Sequence, residues 1–165
     1  MSIQDAIVKE YGNRLRLRVC GFLVEGETVL LLNHANLGKS DFWIPPGGGM
    51  EFGESASETL QREFAEETGL TIQVKRFLCV HEYQALPLHG IELFFEVEKT
   101  GGELRLGFDP EMNVSHQILK QLEFIPIPEL KNFDPQVLHP VLQHLSRSGK
   151  LDSLNGYSLN GEKFY

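Results

Sequence analysis

The chain has 165 residues, 41% of them hydrophobic and 23% charged, with 23 acidic against 15 basic side chains and a net charge of −8. That length and composition suit one globular domain around a single core, and the acidic balance argues against broad contact with nucleic-acid backbones. No apolar run reaches the length of a membrane span, and residues 1–10 lack a basic start followed by an apolar stretch.

Read in chain order, strand and helix signals alternate without a break large enough for a second domain. Leu15, Leu17 and Val19 alternate with Arg14, Arg16 and Arg18, the period of a half-buried strand. Residues 19–24 and 28–33 flank Glu25-Gly26-Glu27, a hairpin signal. A polar loop follows over 36–41, then a tryptophan segment and a glycine run, Trp43-Ile44-Pro45-Pro46-Gly47-Gly48. Cys20 and Cys79 each sit singly in an apolar strand-like context without metal spacing, which points to core packing and a reducing, cytoplasmic setting.

The next segment carries the strongest signals. Ser55 with Glu58 three residues on forms a capping box, residues 57–68 contain neither Gly nor Pro, and Gly69 supplies a stop. Ala56, Leu60 and Phe64 make the buried stripe of this helix. At roughly 100° per residue, Glu63, Glu66 and Glu67 fall within an arc of about 100° beside that stripe, with Glu67 inside it. Three like charges at such spacing repel, and burying Glu67 unpaired is costly. A bound divalent cation removes both penalties, and a cation held by carboxylates beside a glycine loop most often handles phosphates. Arg62 lies one turn from Glu58 and from Glu66 and can pair with either, holding a carboxylate in the orientation a metal needs. The competing reading is a solvated acidic face.

Strands are expected at 71–83 and 91–98 around a loop with Pro87, and short ones at 103–106 and 119–125. Asp134-Pro135 can open a second helix, or that helix starts at Pro140 and runs to about Ser148, where Gly149 ends it. Residues 150–165, with two Asn-Gly pairs, read as a frayed tail or a small hairpin, which leaves 1–149 as the single domain.

The stretch from Gly48 to Leu70 resembles the Nudix box, a glycine, five residues, a glutamate, seven residues, then R-E-U-x-E-E-x-G-U with U apolar. Gly48, Glu54, Arg62, Glu63, Glu66, Glu67, Gly69 and Leu70 match every fixed position, and Phe64 stands where an aliphatic residue is usual. The run from Trp43 to Gly48 resembles the segment that commonly precedes the box. The resemblance implies an α/β (α+β) Nudix fold, a mixed β-sheet sandwiched between α-helices. It also implies an enzyme that cleaves a pyrophosphate linkage in a nucleoside diphosphate joined to another group.

By that resemblance the Gly48 carbonyl, Glu63, Glu66 and Glu67 bind the metal, expected to be Mg²⁺ with Mn²⁺ as substitute, since both favour oxygen ligands. Glu54 supports the site through a water or through Arg62. Glu63 is the first choice for general base, because a carboxylate beside the ion reaches the attacking water. Later candidates are Glu92, Glu96, Asp109, Glu111 and Glu123, each more readily read as an exposed surface acid. Arg18 is the phosphate-binding choice, against an exposed strand edge protected by charge. Trp43 stacks on a base or anchors the glycine loop from within the core.

None of the six histidines has metal spacing, and none is given a role. The expected partner is a nucleotide-type small molecule, with no membrane or nucleic acid; a homodimer is left open. Substrate identity is open between nucleoside triphosphates, sugar nucleotides and ADP-ribose. Pro87 lies close to where ADP-ribose-cleaving relatives carry a proline after the box. A non-catalytic nucleotide sensor and an isoprenoid diphosphate isomerase are the other classes compatible with this fold, and the complete box weighs against both.

Overall fold

The computed structural model describes residues 3–34, 41–107 and 119–162. Its central strand, β1 (Arg14–Glu25), runs parallel to β6 (Leu88–Gly102), with register from Arg14↔Leu88 to Leu23↔Val97. β6 is the second arm of a long antiparallel hairpin with β5 (Leu70–Ala85), and β8 (Gly156–Leu159) adds to β5 in parallel. On the other side β1 turns into β2 (Thr28–His34) at Glu25↔Thr28, the expected hairpin. β2 carries β3 (Trp43–Ile44) on one edge and β7 (Leu119–Pro126) on the other, while β4 (Gly47–Gly49) lies antiparallel to β1.

The mixed sheet has a helix on each face, as expected. α2 (Ala56–Thr68) lays Leu60 and Phe64 against Val19, Leu23, Leu30, Leu70, Ile72 and Val97. Gly21 allows this closeness, because a Cβ there would lie 2.7 Å from the Phe64 ring. The opposite face packs Cys20, Phe22, Cys79 and Phe94 under Val141, Leu142 and Leu145 of α3 (Pro140–Ser148). Burial of this kind contributes about 1.5–3 kcal/mol per large apolar side chain. Both cysteines are free and buried, and burial pushes the Cys79 thiol up to about 12.

The structure settles which face of β1 is covered, and it differs from the sequence reading at several later points. Leu15 (59% exposed) and Leu17 point outward, while Arg16 and Arg18 on the other face are the more covered residues. The reason is that the α2-side core starts only at Val19, whereas the arginine face has its own neighbours in Tyr11 and Glu92. No strand forms at 103–106. That segment satisfies the end of α2, with Arg105 N–H donating to Thr68 O at 2.9 Å and Gly107 N–H to Glu67 O at 2.8 Å.

Asp134-Pro135 opens only a short 3₁₀ turn, Pro135–Val137, and α3 begins at Pro140. Residues 150–162 are neither frayed nor a hairpin: a 3₁₀ turn, Leu151–Ser153, leads into β8, so the sheet continues past residue 149. Ahead of β1, α1 (Ile3–Tyr11) is a helix that the sequence reading did not anticipate. Most of the polar loop over 36–41 lies outside the described residues. No described helix is long and apolar enough to cross a membrane.

Candidate active site

α2 forms where its caps dictate. Ser55 N–H donates to Glu58 Oε2 at 2.8 Å and Glu58 N–H donates back to Ser55 Oγ at 3.3 Å. Gly69 ends the helix with φ +70°, a left-handed conformation that glycine adopts without penalty. These two stops set which turn of the helix faces β4.

Arg62 organises the acidic face. Its Nε and Nη2 donate to the two oxygens of Glu54 at 2.8 and 2.9 Å, a bidentate pair. Nη1 donates to Glu63 Oε1 at 2.7 Å and lies 3.6 Å from Glu66 Oε2, and Nη2 also reaches the Gly49 carbonyl at 3.1 Å. Of the two i,i+4 partners expected, only Glu66 is met. Glu58 is occupied by the cap and takes no part. Glu54 acts directly through Arg62, and those hydrogen bonds push its carboxyl down to about 2.

Glu63 and Glu67 are buried on the side of the helix that faces the glycine strand. Glu67 Oε2 accepts from Gly47 N–H at 2.8 Å. Gly48 lies so close to Glu63 that a Cβ there would sit 2.3 Å from its carboxyl carbon, so a side chain at 48 would displace the glutamate. Burial raises the proton affinity of Glu63 against the opposing pull of Arg62. The structure therefore brings Gly48, Glu54, Arg62, Glu63, Glu66 and Glu67 together. Their donors are all oxygens, and one guanidinium faces three glutamates, a deficit of positive charge that suits a hard divalent cation.

The two substrate-binding expectations fare differently. Trp43 is buried in the larger core, edge-on to Phe133 with centroids 5.9 Å apart, and its carbonyl accepts from His139 N–H at 3.0 Å. It anchors the segment before the glycine strand and offers no open face to a base. Arg18 is neither an exposed edge residue nor a free cation. Its Nε lies 3.7 Å from Glu92 Oε1, and its Nη2 donates to the Gly47 carbonyl at 3.3 Å. Arg16 is the strand arginine beside the site, stacked over Tyr11 at 4.0 Å from the ring centroid, with its guanidinium near Gly49.

Among the later carboxylates, Glu92 is buried rather than exposed, Glu96 is held by Lys75 and Arg76, and Glu123 is exposed. Asp109 and Glu111 lie outside the described residues.

The sequence reading missed a buried trio. Glu92 Oε2 accepts from His81 Nδ1 at 2.9 Å and from His139 Nε2 at 2.7 Å, and the ligand atoms of the three lie within 4.8 Å of one another. The signal for it was pairwise register, which places His81 opposite Glu92 on the hairpin. Burial opposes ionisation of Glu92, but His139, His81 and Arg18 outweigh it and hold the carboxyl well below its usual range. Burial depresses His139 in turn, against the pull of Glu92.

A family model described as NUDIX domain matches residues 14–145. The chain is similar to the 8-oxo-dGDP phosphatase NUDT18 of Mus musculus, 36% identical over 103 residues, covering 59% of this chain and 31% of that protein. It is also similar to an ADP-ribose pyrophosphatase of Methanocaldococcus jannaschii, 34% identical over 93 residues, covering 55% of each. The chain thus spans between about a third and about half the length of these relatives. Among solved structures, a NUDIX hydrolase from Nitrosomonas europaea shares the fold with a TM-score of 0.69 at 15% identity, over 92% of this chain and 98% of that one. A UDP-X diphosphatase shares it with a TM-score of 0.63 at 22% identity, over 96% and 73% respectively.

Proposed function

The chain belongs to the NUDIX domain family, and from that premise we propose that it hydrolyses the pyrophosphate linkage of a nucleoside diphosphate derivative with the help of a divalent cation. The observation that carries this reading is the gathering of Glu54, Glu63 and Glu66 on one guanidinium, with Glu67 beside them on the glycine strand. Glu63, Glu66, Glu67 and the Gly48 carbonyl are the residues to hold the ion, with Mg²⁺ first and Mn²⁺ as substitute. When bound, the ion neutralises charge on the bridging and non-bridging phosphate oxygens.

The protein's own groups do the rest. Glu63, buried against the glycine strand, takes a proton from the attacking water, whose oxygen bonds to one phosphorus. The bridging P–O bond breaks, and the second phosphate departs with the electron pair. Glu54 holds Arg62 fixed, and Arg62 holds Glu63, so the base keeps its direction while charge develops. Arg16, next to Gly49, is the cation placed to meet a substrate phosphate.

The names of both sequence relatives place a nucleoside diphosphate group in the substrate, which supports that class here. The test is a panel of nucleoside diphosphates and triphosphates, ADP-ribose and sugar nucleotides, incubated with Mg²⁺ or Mn²⁺ in ¹⁸O-labelled water. The expected result is two phosphorylated products, or a nucleoside monophosphate plus inorganic phosphate from a diphosphate, with label on one phosphate. Glu67→Gln, which preserves shape, is expected to keep the fold and lose turnover by about 10²-fold or more. Label at carbon, a trapped phosphoenzyme, or full turnover in Glu67→Gln would overturn the reading.

A further inference from the structure

The trio around Glu92 belongs to a longer row that crosses the sheet. Gly49 pairs with Arg18, Arg18 with Glu92, Glu92 with His81, and His81 with Ser158, so five strands contribute one residue each at matched register. Apolar residues fill the neighbouring positions on this face: Cys20, Phe94 and Cys79 are buried. A polar row inside an apolar face costs desolvation unless its members satisfy one another.

Two histidines and a glutamate also make a common donor set for a transition metal. The proton positions argue against that use. Val141 N–H donates to His139 Nδ1 at 3.3 Å, so Nδ1 is an acceptor and the proton sits on Nε2, the atom facing Glu92. His139 Nε2–H and His81 Nδ1–H then both donate to one Glu92 oxygen, and the other oxygen faces the Arg18 guanidinium. A dication in the same place would displace two protons and meet that cation.

The row ends on the acid site. Neither backbone polar group of Gly47 is idle: its carbonyl accepts from Arg18 Nη2, and its N–H donates to Glu67 Oε2. Glu92 and Arg18 lie on the α3 side of the sheet and Glu67 on the α2 side, so the Gly47 backbone carries a mechanical link through the sheet between the two cores.

We propose that Glu92, oriented by His81 and His139, is a positioning residue: it holds Arg18 so that the guanidinium fixes the Gly47 backbone, which in turn places Glu67 for the cation. The proposal rests on the reading of Glu67 as a metal ligand given above. Glu92→Gln isolates the link. The amide oxygen can still accept from both histidines, while the amide N–H₂ is turned toward Arg18 and replaces attraction by repulsion. Arg18→Met removes the guanidinium and leaves Glu92 with its two histidine donors.

The experiment measures Mn²⁺ binding to the full chain by electron paramagnetic resonance, and Gly47 amide hydrogen exchange in metal-free protein. Wild type, Glu92→Gln, Arg18→Met, the double variant, Glu67→Gln and the core variant Leu145→Ala are compared. Each single link variant is expected to bind Mn²⁺ about 10-fold more weakly, with the double no weaker than Arg18→Met, because the two act in series. Gly47 exchange is expected to quicken by about 10-fold in both. Leu145→Ala is expected to lower the melting temperature and leave Mn²⁺ affinity unchanged, which separates positioning from a general loss of stability.

Wild-type affinity and Gly47 exchange in Arg18→Met or Glu92→Gln, with Glu67→Gln still weakened, would overturn the positioning role alone. Wild-type affinity in Glu67→Gln would overturn the metal assignment, and the metal-free exchange at Gly47 would still judge the link. Should Glu92→Gln fail to fold, Arg18→Met reads the same step.

Discussion

Arg62 illustrates how much one side chain can fix at the scale of a residue. Its planar fork meets Glu54 with two bonds, Glu63 with a third and the Gly49 carbonyl with a fourth. A lysine keeps the charge but offers no fork. Arg62→Lys is therefore expected to lower kcat by about 10–100-fold, with little change in melting temperature, in steady-state assays on the best substrate of the panel. The same brace sets an acid limit. The folded-state value of Glu54 is depressed, so its bond to Arg62 contributes stability above the ordinary carboxylate range and loses it as pH falls through about 2. A Glu54 carboxyl titrating near 4 by carbon NMR would mean that the brace does not form in solution.

His139 is paired with Glu92, yet burial outweighs that pairing and depresses its proton affinity. It is buried and neutral, facing Glu92, His81 and Arg18, with its folded-state value below 6.5. The unfolded chain then takes up a proton that the folded one refuses. Stability is full above pH 6.5 and declines as pH falls below it toward the lower folded-state value. Urea unfolding at pH 7.5 and 5.5 checks this: wild type is expected to lose stability at the lower pH, and His139→Gln to lose less.

Elements differ in how openly they announce themselves. α2 is written locally: the Ser55–Glu58 box, the apolar stripe and Gly69 all fall within fifteen residues, and each appears in the structure where expected. Gly69→Ala tests the last of these. A Cβ at that φ would also lie 2.6 Å from the Glu103 carbonyl, so a loss of about 1–3 kcal/mol is expected in chemical unfolding. An unchanged midpoint would contradict the close approach of 103–107 to the helix end.

β1 shows the limit of local reading. Its alternation is real, but which face is inward depends on neighbours far along the chain, and the arginine face won because Tyr11 and Glu92 lie against it. The fate of 150–162 was hidden for the same reason, since four residues of β8 become a strand only by docking on β5. Within the site, the acidic helix was legible from spacing. The histidine pair was not, because His81 and His139 meet through a strand register and a helix cap rather than through any motif.

For the whole molecule the acid cluster is a cost that a ligand can remove. A cation that binds the folded state alone stabilises it by about 2.7 kcal/mol at one hundred times its Kd. For a chain of this size that corresponds to a rise of roughly 5–10 °C in melting temperature. Differential scanning calorimetry with and without Mg²⁺ measures it, and Glu67→Gln is expected to abolish most of the rise. Equal melting temperatures for wild type with and without the ion would remove the box glutamates as its site.

The parallel pairing of β1 with β6 has a consequence for how the molecule comes into being. As the chain is synthesised, β1 emerges before the other strands, yet Arg14 must wait for Leu88 and Leu23 for Val97. α2 carries its own start and stop signals and can take shape while β1 still lacks that partner. β1 gains its parallel neighbour only once β6 has been made, and β8, later still in the chain, supplies the strand that docks on β5. Contacts this distant along the chain slow the search for the native arrangement. The start and stop of the acidic helix thus rest on contacts local in the chain. The row from Gly49 to Ser158 needs five strands drawn from across the chain, so Glu67, tied to that row through Gly47, depends on contacts far more distant in sequence than those that shape its own helix.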